Sequence, residues 1–426
     1  MSENIQWKTE NSNSESVLFY FLPQNTKERR DEFEKRISSS KYKKCYVNYN
    51  FSKKPNIEYL ETSLWHEELK ERCNKIYPLP NSHFIAVTGT NGKTTTTDII
   101  RQLLISSDKT VLTIGTLGVW HNNTKVQDYN LTTPNYIDIR KCLSEYVAEY
   151  IVIEASSHAL EQNRFNGIVF DYSVWTSFSQ DHLDYHKTME EYFLSKRRLI
   201  DITDKKILVC EDEVFLDKLP QAKVSKVSLL IYELSDYFSI SYNRKNLSLA
   251  ISLLNEFNIV PSKMNIEDLK STPGRFNLIR GNNQLIVIDF AHTPDALINI
   301  GKELKTTYKD KKIITVMGCG GDRDPLKRPL MGAACEDFSD FVFITSDNPR
   351  FEDPQRILKD IEKGMIRNTY ELELIRSQAI RKAISTYDNS IILIAGKGHE
   401  NYIDQNGTKT YYSDEEEVKK VLNDLR

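Results

Sequence analysis

Three short stretches of this chain gather residue types that do chemistry. Gly89-Thr90-Asn91-Gly92-Lys93-Thr94-Thr95 follows an apolar run, His83 to Thr88, and precedes a segment of helical character, Thr96 to Leu104. Glycines there let the backbone curl so that successive N–H groups and a helix N-terminus face an anion. The lysine adds a point charge, and a threonine hydroxyl can hold Mg²⁺. The expected ligand is a nucleoside triphosphate. The extended form of this loop carries a further Gly five residues before Gly92; that position is Val87, so the match is to a shortened form, G-x-x-G-K-T.

The second stretch, Glu154-Ala155-Ser156-Ser157-His158, ends the apolar run Tyr150 to Ile153. It delivers a carboxylate, two hydroxyls and an imidazole to the C-terminal end of a strand, where open α/β sheets bind their ligands. The third, Ser179-Gln180-Asp181-His182-Leu183-Asp184-Tyr185-His186, packs two carboxylates and two imidazoles into one loop. Such clusters are costly unless they bind something. Beside a triphosphate loop the expected metal is Mg²⁺, which takes carboxylates, phosphates and waters and seldom histidine, so at most one imidazole should reach it.

Positioning these loops requires an alternation of strands and helices, and the chain has one. Apolar strands are expected at Thr110 to Ile114, Tyr150 to Glu154, Tyr172 to Trp175 and Lys206 to Cys210, with helical segments between them. That pattern predicts an α/β protein whose central part is a mostly parallel sheet with helices on both faces. Upstream, Val17 to Leu22 and Lys44 to Asn48 read as strands around a charged helix, Thr26 to Ser38, a small N-terminal α/β domain. Pro78 and Pro80 punctuate its end. A second turn-rich break, Ser271 to Arg275, precedes strands at Leu285 to Ile288, Ile313 to Met317, Phe341 to Thr345 and Ile391 to Ile394, a Rossmann-like C-terminal domain. Three domains are therefore expected, 1–80, 81–280 and 281–426.

Composition fits a soluble protein: of 426 residues, 39% are hydrophobic and 27% charged, and no apolar run approaches a membrane span. A net charge of −3 gives no reason to expect nucleic acid or membrane as partner. Without a basic-then-apolar leader, a cytoplasmic location is the default expectation. The six cysteines lack C-x-x-C spacing, which argues against zinc or a disulfide framework.

Taken together, the Gly89–Thr95, Glu154–His158 and Asp181–His186 stretches resemble those of the Mur ligase family, most closely its MurE type. The resemblance covers about residues 83 to 403. It implies ATP-dependent amide formation through an acyl phosphate, adding the third amino acid to UDP-N-acetylmuramoyl-L-alanyl-D-glutamate in peptidoglycan precursor synthesis. It also implies ATP contacts at Gly89 to Thr95, at Asn246 with Asn243 nearby, and at Arg275, Asp289 and His292. Two Mg²⁺ ions are expected, at Thr94, Glu154, His182 and a carbamylated Lys196, with Lys93, Glu154, His182 and Lys196 as the catalytic set. Carbamylation turns an amine of ordinary pKa about 10.4 into an anion that can ligate metal. Thr132, Thr133, Ser156, Ser157 and Arg164 resemble the family's contacts to the uridine nucleotide substrate. Small-molecule substrates and a monomer are implied.

The C-terminal motifs imply the amino acid. Asp347-Asn348-Pro349-Arg350 marks MurE-type enzymes that accept meso-diaminopimelate, with Asn348 and Arg350 at its distal amine and carboxylate. An arginine fork matches a carboxylate with two parallel hydrogen bonds. Arg376, Gly396 and Glu400 match further contacts to the amino acid, although Ile375 stands where the family has Asp. The glycine-rich turn Met317 to Asp324, followed by Lys327-Arg328-Pro329, adds fixed charges.

The chain departs from the family in its N-terminal domain, where only Asn13 to Phe21 faintly resembles the uridine-nucleotide module; no ligand is assigned within 1–80. That departure keeps two alternatives in view: a Mur-like ligase acting on a related peptide or recycled muropeptide, and a catalytically silent nucleotide-binding scaffold. Folylpolyglutamate synthase shares the phosphate loop, but Asp347 to Arg350 points away from it.

Overall fold

The computed structural model describes residues 4–6, 16–20, 42–48, 56–129, 131–230, 236–281 and 283–425, with the single positions 31 and 35. The helix expected at Thr26 to Ser38 lies outside the described residues. The elements form three α/β layers in chain order, in keeping with the expected fold class.

Strands β1 (Asn4–Gln6), β2 (Ser16–Tyr20), β3 (Lys44–Val47) and β4 (Ile57–Tyr59) make a parallel sheet in the order β1-β2-β3-β4. The helix Thr62–Ile76 leads out of it and buries Trp65, Leu69 and Cys73. Trp65 rests edge-on against Phe19 and donates its indole N–H to the Tyr46 carbonyl at 3.1 Å. The same tryptophan belongs to the apolar layer beneath the central sheet.

The central sheet comprises β5 (His83–Thr88), β6 (Val111–Gly115), β7 (Gly118–His121), β8 (Thr124–Gln127), β9 (Tyr150–Glu154), β10 (Phe170–Trp175), β11 (Thr203–Cys210) and β12 (Val224–Val227). Its order is β12-β11-β10-β5-β9-β6-β7-β8, parallel except for the hairpin edge formed by β7 and β8. Alternate residues divide between two apolar layers. Ile85 and Val87 pack with helices Lys93–Ser106 and Ser241–Glu256, while Phe84 and Ala86 pack with Tyr136–Glu145 and Met189–Asp201. Both faces are thus covered, the reason these strands read as continuous apolar runs.

The third sheet comprises β13 (Asn277–Arg280), β14 (Leu285–Asp289), β15 (Lys312–Met317), β16 (Phe341–Thr345), β17 (Tyr370–Glu373) and β18 (Ser390–Ala395), in the order β13-β14-β18-β15-β16-β17. Only β13 runs antiparallel. A hairpin, β19 (Tyr402–Gln405) and β20 (Thr408–Tyr411), follows. Among the described residues no helix is long and apolar enough to cross a membrane.

Because β5, β6, β9 and β10 are parallel, they release Gly89, Thr116, Ala155 and Thr176 at one edge of the central sheet. In the third sheet β14, β15, β16 and β18 likewise end together, at Asp289, Met317, Thr345 and Ala395. A cavity of about 580 Å³ lies between the two sheets, lined by the residues that follow β5, β6 and β10 on one side and by Asp289 to Thr293, at the end of β14, on the other.

Candidate active site

The phosphate loop closes on itself. Gly92 caps the helix Lys93–Ser106 at φ +86°, a left-handed conformation that side chains resist. A Cβ there would also lie 2.6 Å from the Asn246 amide oxygen, which places Asn246 against the loop. Lys93 Nζ donates to the Gly89 and Thr90 carbonyls at 2.7 and 2.8 Å, and Lys196 Nζ reaches the same Gly89 carbonyl at 2.8 Å from the helix Met189–Asp201. A half-buried lysine and a buried one therefore converge on one oxygen. Among the described residues neither forms an ion pair. Burial pulls the Lys93 ammonium below the usual lysine range, against the opposing charges of Glu154 and Asp181. Burial, then the charge of Lys93, pulls Lys196 well below it.

Glu154 ends β9 with 1% of its surface exposed. Its carboxylate accepts from the Thr116 N–H at 2.9 Å, the Thr116 hydroxyl at 3.0 Å and the Thr94 hydroxyl at 3.1 Å. Burial raises this carboxyl; the Thr116 N–H, Lys93 and Arg275 oppose the rise. Room for it depends on Gly115, where a Cβ would stand 2.2 Å from Glu154 Oε1. A hydroxyl and a carboxylate at a helix N-terminus are hard oxygen donors, and with triphosphate oxygens and water they fit Mg²⁺.

The Asp181–His186 loop lies opposite. His182 adopts φ +54°, its Nε2 is 3.4 Å from Asp181 Oδ2, and its ring stands 5.0 Å from that of His158. Burial pushes the His182 imidazole down, Asp181 opposing. Burial alone would raise the Asp181 carboxyl, yet His182, Lys327 and His292 hold it below the usual range. Lys327, from the third layer, contacts Asp181 at 3.2 Å, and the Ser179 hydroxyl donates to Asp295 at 2.6 Å, so two polar contacts span the layers beside the cavity.

The residues expected to hold the uridine substrate are brought together. Thr133 donates its hydroxyl to the Glu154 carbonyl at 2.6 Å and accepts from the Ser156 N–H at 3.0 Å. Thr132 accepts from the Thr116 hydroxyl at 3.3 Å. Arg164 donates to the Thr133 carbonyl and the Gln162 amide oxygen. Ser157 is buried, with its hydroxyl 2.9 Å from His186 Nε2.

Among the residues expected at the nucleotide, the Arg275 guanidinium lies 4.5 Å over the Phe290 ring, a cation–π contact. Asp289 accepts from the Phe276 and Ala291 N–H groups at 2.8 and 2.7 Å; His292 Nδ1 is 2.8 Å from the Phe290 carbonyl. Asn243, by contrast, gives its amide to the Tyr237 carbonyl.

The Asp347–Arg350 turn builds a second, charged corner. Lys397, fully buried, reaches Asp347 at 3.3 Å, the Asn348 amide oxygen at 3.1 Å and Glu400 at 3.6 Å. Asn348 also accepts from the Asp404 N–H at 2.9 Å and donates to Glu400 at 2.7 Å. Its amide oxygen and one amide hydrogen are therefore engaged by the protein, which fixes the orientation of the group. Gly396 lies against Asp347, 2.7 Å from Oδ2 to a would-be Cβ. Arg350 holds φ +49° and donates Nη1 to the Gly321 carbonyl at 2.6 Å. Arg323 and Arg350 both border Gly320, a proximity that a lone exposed arginine in a turn did not reveal.

Arg376 is a correction. Only 1% of its side chain is exposed, and it forms two bonds of 2.8 and 2.7 Å with Asp414 and one of 3.0 Å with the Ala395 carbonyl. It clamps the end of β18, and only its Nη1, buried, is left without a hydrogen-bond partner. Arg376→Met should therefore lower stability by about 3–5 kcal/mol, the cost of stranding a buried Asp414. A shifted urea midpoint checks this; a raised amino-acid KM at unchanged stability would restore the clamp.

Comparison with known proteins agrees with this geometry. Residues 87–288 match the Mur ligase middle domain, and residues 274–398 the Mur ligase, glutamate ligase domain. A UDP-N-acetylmuramoyl-L-alanyl-D-glutamate--2,6-diaminopimelate ligase of Fusobacterium nucleatum is 35% identical over 87% of this chain and 84% of its own length. A ligase of the same name from Clostridium tetani is 30% identical over 99% of this chain and 95% of its own. A solved structure of a protein with that name superposes with a TM-score of 0.63 at 28% identity, covering 99% of this chain and 95% of the other. Together with the phosphate loop, the buried Glu154 and the paired lysines, these matches show that the chain belongs to the Mur ligase family of ATP-dependent ligases.

Proposed function

We propose that this enzyme adds meso-diaminopimelate to UDP-N-acetylmuramoyl-L-alanyl-D-glutamate at the expense of ATP, in peptidoglycan precursor synthesis. The observation that carries the reading is a cavity that joins the phosphate loop, where Lys93 and Lys196 converge, to the end of β14, in the same sheet whose neighbouring strands β16 and β18 lead into the Arg350, Asn348 and Glu400 corner. The name shared by the full-length relatives supports the same substrates.

In this reading the D-glutamyl γ-carboxylate attacks the ATP γ-phosphate, releasing ADP and leaving an acyl phosphate; the diaminopimelate amine then displaces phosphate. Lys93 leaves its loop carbonyls for the phosphate oxygens, where charge stabilisation governs phosphoryl transfer. Thr94, Glu154, His182 and a carbamate on Lys196 would hold Mg²⁺, which neutralises charge on those oxygens when bound. What supports the carbamate is that burial and the charge of Lys93 disfavour the Lys196 ammonium relative to the free amine, the form that adds CO₂. Thr132, Thr133, Ser156, Ser157 and Arg164 orient the uridine substrate. Asn246, Arg275, Asp289 and His292 face the nucleotide, and the Lys327–Asp181 and Ser179–Asp295 contacts close the third domain over it. At the far corner Arg350, with Arg323 beside it, receives the distal carboxylate, Asn348 and Gly396 shape the wall, and Arg376 positions β18. Both substrates are small molecules, ATP and the nucleotide precursor are cytoplasmic, and the site is complete within one chain.

The testing assay is phosphate release from ATP with the UDP-muramoyl dipeptide, comparing meso-diaminopimelate with L-lysine. Turnover with diaminopimelate alone is expected. Turnover with lysine alone overturns the amino acid, and none with either overturns the reaction.

A further inference from the structure

The hairpin β19–β20 is bonded to the Asp347–Arg350 turn. Its first strand bridges to Arg350: the Arg350 N–H donates to the Asp404 carbonyl at 2.9 Å, and the Asn406 N–H donates to the Arg350 carbonyl at 2.7 Å. The Asp404 N–H is taken by the Asn348 amide oxygen at 2.9 Å. Asp404 is therefore tied by its backbone to both Asn348 and Arg350, and its carboxylate starts from the position beside the arginine that reads the distal carboxylate.

That carboxylate is uncommitted. Asp404 Oδ1 is buried and has no hydrogen-bond partner, and among the described residues Asp404 makes no ion pair. The other acids of this corner are engaged, Asp347 with Lys397 and Glu400 with Asn348 and Lys397. Lys409, which faces Asp404 across the hairpin, places its ammonium 4.1 Å over the Tyr402 ring. Tyr402, two residues before Asp404 on the same face of β19, lies within the field of Arg350, Glu400 and Asp404 together, which places this face toward the corner. A buried acceptor left open beside a cation suits a ligand group that is itself cationic and sits next to an anionic one.

We propose that Asp404 is a specificity-determining residue of the amino-acid pocket, its carboxylate accepting from the distal ammonium of the incoming diamino diacid while Arg350 takes the adjacent carboxylate. The assignment rests on the diaminopimelate reading above. Arg350 and Asp404 then form a matched pair for a zwitterionic end, built from two backbone positions joined by hydrogen bonds.

The test compares Asp404→Asn with the unaltered enzyme on meso-diaminopimelate and on 2-aminopimelate, which keeps the distal carboxylate and lacks the distal amine. Asparagine preserves shape and both backbone bonds. The variant should raise KM for diaminopimelate about tenfold to a hundredfold, the range for a hydrogen bond to a charged group. KM for 2-aminopimelate and for ATP should be unchanged. An equal rise with both amino acids would mean Asp404 acts only through the hairpin, and no rise with either would mean it is not in the pocket; both overturn the assignment. An unaltered enzyme that uses neither compound overturns the diaminopimelate reading itself, a result distinct from these two.

Discussion

Lys196→Ala is expected to lower kcat by about a hundredfold to a thousandfold or more, the cost of removing one preorganised stabilising group from a phosphoryl-transfer site. Its folded stability should hold or rise. The side chain is 1% exposed and, among the described residues, makes a single hydrogen bond, to Gly89; burial and the charge of Lys93 outweigh the charge of Asp181, so its ammonium is a burden to the fold despite the Tyr192 ring 4.8 Å away. Such a residue is retained for chemistry. If that chemistry is a carbamate, short carboxylates added to the alanine variant should restore part of the activity by occupying the vacated volume. Depleting bicarbonate should silence the unaltered enzyme reversibly. Lys196→Arg should remain inactive, because a guanidinium stays charged and cannot add CO₂. Full activity in the alanine variant, or rescue by amines in place of carboxylates, would remove the carbamate from the mechanism.

The contrast between Lys196 and the phosphate loop shows what a sequence makes legible. Gly92, Lys93 and Thr94 are adjacent, and the turn they form is local, so type and spacing suffice. Strands β9 and β16 could be read residue for residue because burial on both faces makes them unbroken apolar runs. The hairpins were invisible for the opposite reason. Most of β8 and all of β20 is exposed, so neither shows a period. Burial of Lys196 depends on a helix packed over a loop more than a hundred residues away, and nothing at Tyr192 to Lys196 announces it. Thr116, which holds Glu154 by both its N–H and its hydroxyl, is likewise a lone threonine after a strand. Arg376 erred in the other direction. Its local motif resembled a ligand contact, and its partner, Asp414, opens a helix 38 residues further on.

Arg350 carries the second large effect. Its guanidinium is held in place by a main chain at φ +49°, a conformation that costs an ordinary residue about 1–2 kcal/mol and persists here because the bridge to β19 fixes it from both sides. Removing the side chain should raise KM for diaminopimelate by roughly thirtyfold to several thousandfold, the equivalent of about 2–5 kcal/mol for unpairing a desolvated charge. KM for ATP should barely move, since the phosphate loop belongs to the central sheet. Lysine, which has no distal carboxylate, should lose little, so the preference between the two amino acids narrows. Alanine alone leaves a doubt, because it inherits the strained backbone and could disturb the turn. Arg350→Gly resolves it. Glycine enters the left-handed region freely, and the relief of about 1 kcal/mol offsets the entropy it adds to the unfolded chain, so thermal stability should stay level while KM climbs as in the alanine variant. If the glycine variant instead binds diaminopimelate normally, the arginine serves the turn and the carboxylate is read elsewhere. If both variants raise KM for ATP and diaminopimelate equally, the corner at Asp347 to Arg350 is not the amino-acid pocket.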